Sequence, residues 1–405
     1  MNAEQNIQAG WNFIFNKLLN KKTKLIYDYR TEEGENGAFV HLPTKEEIKN
    51  NEPNPCGWFT GMEDCDINGG LMLDAVLKRY SATKDTTMKK YADDLFDGLM
   101  ANATVSPQKG FLARSRLPED GVTHYINSSR DQYTHWIDAM LHFYKSDLCE
   151  DKQRIQIKKA IVDFAEKAKK DVIPANHYYL LDEENLPALA SCMYGSELGC
   201  HETCRLPMFY MAAYAVTQEQ HWIDAYRATR DWCLEKAEEV KIESYFQGAY
   251  SGTFALLQMQ ISLRLLYDYE EDIAYKERYK ILMHRVANGI YGATFEAKEK
   301  LKDFAMPHTL PAWRNVPQKF IREEQWSIVG RKVIMRDVYT AAGVNLQALR
   351  NVSENIITQC ICPDFEIKQE QIDAFTSVVE KISFESPCCF VPTGYCLAWW
   401  SLKTR

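Results

Sequence analysis

Apolar residues recur along the chain at three- and four-residue spacing far more often than in strict alternation, which is the pattern of amphipathic helices. That periodicity predicts helices near 5–20, 67–82, 87–103, 130–146, 152–171, 202–216, 219–238, 252–268 and 272–290. Strand-like stretches are short and fall in connections, chiefly 104–126 and 326–339. The helices pair. Tyr80-Ser81-Ala82-Thr83-Lys84-Asp85 closes an apolar helix, and an amphipathic one opens at Tyr91-Ala92. Tyr214-Ala215-Val216-Thr217-Gln218-Glu219 repeats that passage ahead of Trp222 and Ala225, with looser copies at Tyr144–Asp147 and Tyr267–Glu270. A unit of roughly 60 residues, each a helical hairpin, reads as a repeat architecture of about six units.

Within a pair the first helix is the more apolar, as in Gly69–Tyr80 and Pro207–Val216, and the second carries Lys and Glu on one face, as in Met88–Leu99. Inner and outer layers of helices follow from that difference. The expected fold is all-α, a single domain over 1–405, with long loops gathered at one end of an (α/α)6 toroid; an open solenoid is the alternative. The C-terminal run Gly394-Tyr395-Cys396-Leu397-Ala398-Trp399-Trp400 favours closure, being too apolar to cap an open stack.

Composition sharpens this picture. The 405 residues are 46% hydrophobic and 26% charged, as in a globular chain, and 19 Gly with 14 Pro are too few for a turn-rich all-β fold. A net charge of −8 with no basic face argues against a nucleic-acid partner. The basic stretch Lys152–Lys170 has acids interspersed at helical spacing, as a solvated helix face does. No apolar run reaches the roughly 18 to 20 residues of a membrane helix. Met1–Gly10 lacks the regions of a signal peptide, so the expectation is a soluble cytoplasmic protein without membrane contact, or a periplasmic one if a leader has been removed. Twelve cysteines without zinc spacing point to a reducing compartment, no structural metal and no cofactor.

Polar, aromatic and glycine residues collect in the links that enter the inner helices, and long loops on a compact scaffold usually carry function. Asp131 stands in the first turn of the helix capped by Ser128 or Ser129, within Arg130-Asp131-Gln132-Tyr133. It reads either as a complement to the helix dipole or as a catalytic carboxylate, with general acid/base as the role expected of it. Asp138 lies seven residues on, in Trp136-Ile137-Asp138-Ala139-Met140, and reads as a structural hydrogen-bond partner or a second carboxylate. Glu63-Asp64-Cys65-Asp66 holds more acids than capping uses, which makes Asp64 or Asp66 a candidate partner of Asp131. Two carboxylates suffice for glycosidic chemistry, one protonating an oxygen and the other assisting water or a cation-like state. Arg114, Arg116 and Arg130 are suited to grip a sugar carboxylate. His201, Glu202, Gln132 and the aromatics Trp58, Tyr125, Trp136, Tyr250 and Trp326 are candidates for hydrogen bonding to, or stacking on, a sugar ring.

On these residues the chain resembles the six-hairpin glycosidases, built on an (α/α)6 toroid, and among them the unsaturated glucuronyl hydrolases and related uronate-acting enzymes. The resemblance implies one catalytic aspartate at Asp64 or Asp66 in Glu63-Asp64-Cys65-Asp66-Ile67-Asn68-Gly69, and a second at Asp138 or, by position, Asp131. Cys65 stands where that family has a histidine, and Gly69-Gly70 where it has Gly-Phe. The expected function is a glycoside hydrolase acting on short, uronate-containing oligosaccharides, within polysaccharide degradation. The alternatives are a sugar epimerase of the N-acylglucosamine 2-epimerase type, drawing a histidine pair from His124, His135, His201 and His308, a polysaccharide lyase, or a non-catalytic carbohydrate-binding protein.

Overall fold

The Tyr80 and Tyr214 passages end their helices in the same way. Helix α3 (Cys65–Thr83) stops at Lys84 in the left-handed conformation, whose N–H donates to the Tyr80 carbonyl. Helix α7 (Arg205–Thr217) stops at Gln218, also left-handed, whose N–H donates to the Tyr214 carbonyl. A left-handed residue just past a helix satisfies carbonyls that the last turn leaves open and turns the chain back on itself. The looser copies end differently: Ser146 and Glu270 follow α5 (Arg130–Lys145) and α9 (Thr253–Tyr269) in extended conformation.

The chain, seen in a computed structural model that describes residues 1–32, 41–196, 198–246, 252–301, 306–322, 333–338 and 346–405, is all-α in class. The remaining helices are α1 (Ala3–Phe13), α2 (Lys45–Lys49), α4 (Met88–Thr104), α6 (Asp151–Asp171), α8 (Gln220–Glu238), α10 (Ile273–Gly289), α11 (Ala293–Lys300), α12 (Leu346–Ile361), α13 (Gln369–Val379) and α14 (Phe390–Lys403). Helices α3, α7, α9, α12 and α14 present long buried stretches, whereas α4, α8 and α10 bury one stripe each. The well-buried helices pack in succession, α3 on α5, α5 on α7 and α9, α7 on α9, α9 on α12, α12 on α14, and α14 on α3. The others pack against these, α4 against α3, α6 against α7, α8 against α7, α10 against α9, and α1 against α14. One continuous apolar core draws residues from α1 through α14. Among the described residues no helix is long and apolar enough to cross a membrane.

Two expectations change. The stretch 104–126 contains no strand; it runs as an irregular connection held by isolated bonds such as Ala113 N–H to Asn102 O and Leu117 N–H to Thr123 O. The strands lie elsewhere, in the antiparallel pairs β1 (Tyr179–Leu181) with β2 (Pro187–Cys192) and β3 (Phe320–Arg322) with β4 (Val333–Met335). The stretch 326–339 therefore contributes β4, and its residues 326–332 and 339 lie outside the described residues. Helices α2, α11, α12, α13 and α14 go beyond those that periodicity predicts. Helix α12 buries Asn351, Ser353, Glu354, Asn355, Thr358 and Gln359, so polarity along it does not report exposure.

Helix α4 approaches the loop after α1 closely at Gly98, where an added Cβ would lie 2.2 Å from the Lys24 carbonyl oxygen. Gly98→Ala should therefore cost about 1–3 kcal/mol in urea unfolding, as overpacking against rigid backbone does. Gly292→Ala, whose added Cβ meets nothing within 4 Å, is the control expected to stay near wild type.

Candidate active site

Helix α3 begins at Asp64, yet Asp64 does not cap it. The buried Asp28 does so from outside the helix: its carboxylate accepts from Glu63 N–H at 2.7 Å, Asp64 N–H at 3.0 Å and Asn68 Nδ2 at 3.0 Å. Open amides at a helix start need an acceptor, and any side chain in reach can supply it. Asp64 is thereby free to turn its carboxylate to Arg114 Nη2 (3.2 Å) and Gln132 Nε2 (2.9 Å), with its side chain 34% exposed. The loop before it turns at Gly57, in the left-handed region, where a Cβ would sit 2.5 Å from the Tyr125 ring.

Helix α5 brings Asp131 alongside. Its carboxylate pairs with Arg205 at the start of α7, and Arg205 donates onward to Gln258 Oε1 of α9 at 2.7 Å. Burial raises the Asp131 carboxyl, but the Arg205 and Arg130 guanidiniums outweigh it and hold it down at about 2. Asp131 is thus an anion at any physiological pH. Next to it Arg130 pairs with Glu202, and His201 Nδ1 lies 2.7 Å from the Tyr245 hydroxyl. Burial, with the Arg205 and Arg130 charges, pushes His201 down to about 3 and keeps its ring neutral.

Three carboxylates therefore alternate with three guanidiniums at the N-terminal ends of α3, α5 and α7: Asp64–Arg114, Asp131–Arg205 and Glu202–Arg130. Each of these three acids is matched by a cation. Polar capacity is left over. Arg114 Nη1, Arg130 Nε, Arg205 Nε, the hydroxyls of Ser128 and Ser129, and Gln132 Oε1 are buried without a protein partner. Buried polar groups are normally satisfied by protein, water or ligand.

Several sequence candidates lie away from this cluster. Asp66 is fully buried, accepts from Asn102 Nδ2 at 2.8 Å, and is pushed well above the usual carboxylate range by burial, so it is closed to substrate. Arg116 spends its donors on Asn102 Oδ1 and the carbonyls of Thr23 and Gly121, holding the 104–126 connection in place. Trp136 is core, its Nε1 donating to Leu99 O at 2.9 Å. Tyr125 is buried and donates to Glu52 O. Trp58 is half-buried against Cys56, Leu189 and Val333. Asp138 lies about 10 Å further along α5 than Asp131, seven residues at 1.5 Å each, and faces the opposite end of the helices. Tyr250 and Trp326 lie outside the described residues. The sequence reading missed Asp28, Tyr245, Gln258 and Arg205. Arg205 had a signal: a cation opening a strongly apolar helix, Arg205-Leu206-Pro207-Met208-Phe209, must be paired to be buried there.

Glu63 gives this end a pH response. Burial and then the Asp64 charge push its carboxyl up to about 8, although Phe59 N–H donates to it at 2.6 Å. Between its ordinary value and about 8 the folded chain holds a proton that the unfolded chain releases, so stability falls as pH rises through that window. Urea midpoints should be lower at pH 8 than at pH 5.5, and Glu63→Gln should flatten the difference; an unchanged slope would remove Glu63 from the account. No family model matches the chain, and no curated protein matches it.

Proposed function

We propose that the chain is a glycoside hydrolase acting on short, uronate-containing oligosaccharides, on a single-domain (α/α)6 toroid. The packing order that leads from α3 through α14 back to α3 supports the toroid, with the outer helices as the second member of each pair. The observation that carries the function is the pair of unlike carboxylates on neighbouring helices. Asp64 is relieved of capping by Asp28 and reachable from solvent, while Asp131 is locked as an anion by Arg205.

That contrast divides the labour. Asp131, held as an anion by Arg205 and Arg130, stabilises positive charge or orients water, and Asp64, whose side chain is reachable from solvent, takes the proton-transfer role. On a saturated uronide Asp64 would protonate the glycosidic oxygen. On an unsaturated one it would protonate the enol-ether carbon, with water adding at the neighbouring carbon. Either route consumes one water. The unspent N–H groups of Arg114, Arg130 and Arg205 suit a sugar carboxylate and hydroxyls.

The test is incubation with saturated and unsaturated uronyl oligosaccharides, followed by mass spectrometry. Release of a terminal sugar with gain of one water supports the reading. Isomerisation without mass change would replace it by the epimerase, for which His135 and His201 are the histidines whose charge environment includes Asp131 and Arg205. His124 is bound to Glu183, and His308 borders a separate cavity with Lys298 and Ser377.

A further inference from the structure

At the opposite end of the same helices a cavity of about 120 Å³ is lined by Asp74 and Lys78 of α3, Asp138 and His142 of α5, and Arg264 and Asp268 of α9. His142 Nδ1 lies 2.8 Å from Asp74 Oδ1, and its Nε2 lies 3.9 Å from Asp138 Oδ1. Asp138 is only 8% exposed, and among the described residues no hydrogen bond reaches its carboxylate; the His142 contact is too long to be one. A carboxylate this enclosed without a donor is the costliest group in the cavity.

From that geometry we propose that Asp74, Asp138 and His142 form a binding site for a divalent transition-metal ion with a preference for oxygen and nitrogen ligands. One donor atom from each residue lies within 4.8 Å of the others. Two ligands facing each other across an ion at about 2.2 Å would stand about 4.4 Å apart, so small side-chain rotations close the site. Asp138 and His142 are one turn apart on α5, the spacing that puts two ligands on one helix face. The neighbouring cations do not compete strongly for the carboxylates. Arg264 is spent on Asp268 Oδ1 (2.8 Å) and Ile361 O (2.8 Å), and Lys78 is exposed. The two carboxylates and the imidazole, once it gives up its proton, present two negative charges, which a dication cancels. Water in the cavity would complete the coordination. The ion would tie α3 to α5 at the end remote from Asp64 and Asp131, a structural staple independent of the chemistry proposed for the other end.

The test uses the full chain, stripped with a chelator and titrated with Co²⁺ alone, then chased with Zn²⁺. The expected result is one equivalent of bound Co²⁺ with the weak visible bands of oxygen and nitrogen ligation, displaced by Zn²⁺. The thiolate-to-cobalt band that cysteine binding would produce should be absent, although Cys360 lines the same cavity. The thermal midpoint should rise with metal. His142→Gln, on an exposed side chain, and Asp138→Asn should each weaken uptake at least tenfold and remove the midpoint rise. Asp138→Asn should leave the metal-free midpoint unchanged or higher, since it removes a buried carboxylate that no hydrogen bond satisfies. Absence of saturable uptake, uptake that survives both substitutions, or a dominant thiolate band would overturn the site.

Discussion

Arg205→Met is expected to lower the stability of the folded chain by about 2–3 kcal/mol at pH 7, somewhat below the cost of breaking a fully buried pair. The discount comes from Asp131, whose side chain keeps 29% exposure and can recruit water, whereas Arg205 is 1% exposed. In the wild type the depressed Asp131 contributes stability that is present above the ordinary aspartate range and lost as pH falls through about 2. In the variant the sign reverses, because protonation relieves an unpaired anion. The deficit should therefore shrink between pH 7 and pH 4 in urea unfolding, and a deficit that does not change with pH would show that packing, not charge, is lost. Asp131→Asn alone should also destabilise, since it strands the buried guanidinium, and so its loss of turnover would be ambiguous. The double variant Asp131→Asn with Arg205→Met removes both charges and should recover most of the stability. If turnover stays lost in that refolded background, Asp131 serves the reaction; if it returns, the pair is structural.

The difference between Asp131 and its neighbours also marks how far the sequence could be read. Helix periodicity, the tyrosine-ended passages and the gathering of polar links at helix starts were legible because each is local, and Lys84 and Gln218 show why the passages recur. What was not legible depends on groups far apart in the chain. Asp64 and Asp66 look alike in Glu63-Asp64-Cys65-Asp66, and only distant partners tell them apart, Arg114 and Gln132 on the half-exposed Asp64 and Asn102 on the buried Asp66. Arg114 and Arg116 are likewise adjacent in pattern, but one meets Asp64 and the other the carbonyls of a connection. Trp136 and Asp138 sit in one short segment, yet the first is core and the second faces the far end of the helices. Helix α12 was missed for a related reason, since its polar side chains are spent inside, Thr253 on Glu354 and Asn355 on Thr294.

Asp64→Asn carries the largest expected effect on activity. Loss of a positioned proton donor typically costs about 10²–10⁴-fold in kcat, and that is the drop expected on whichever uronyl oligosaccharide the chain turns over. Stability should hardly move, because Asp28 and not Asp64 satisfies the start of α3, and asparagine still offers an acceptor to Gln132 and Arg114. KM should stay within a few-fold if the ring is held by the guanidiniums rather than by the acid. The matching control is Asp66→Asn. That side chain is fully buried, bonded to Asn102 and closed to substrate, and the amide is a near isostere, so turnover should remain within a few-fold of wild type. Steady-state kinetics on the two variants therefore separate two aspartates that the sequence presents as equivalent. Turnover that survives Asp64→Asn within about threefold would overturn the assignment of the proton to Asp64, and with it the division of roles between the solvent-reachable carboxylate and the one locked by Arg205.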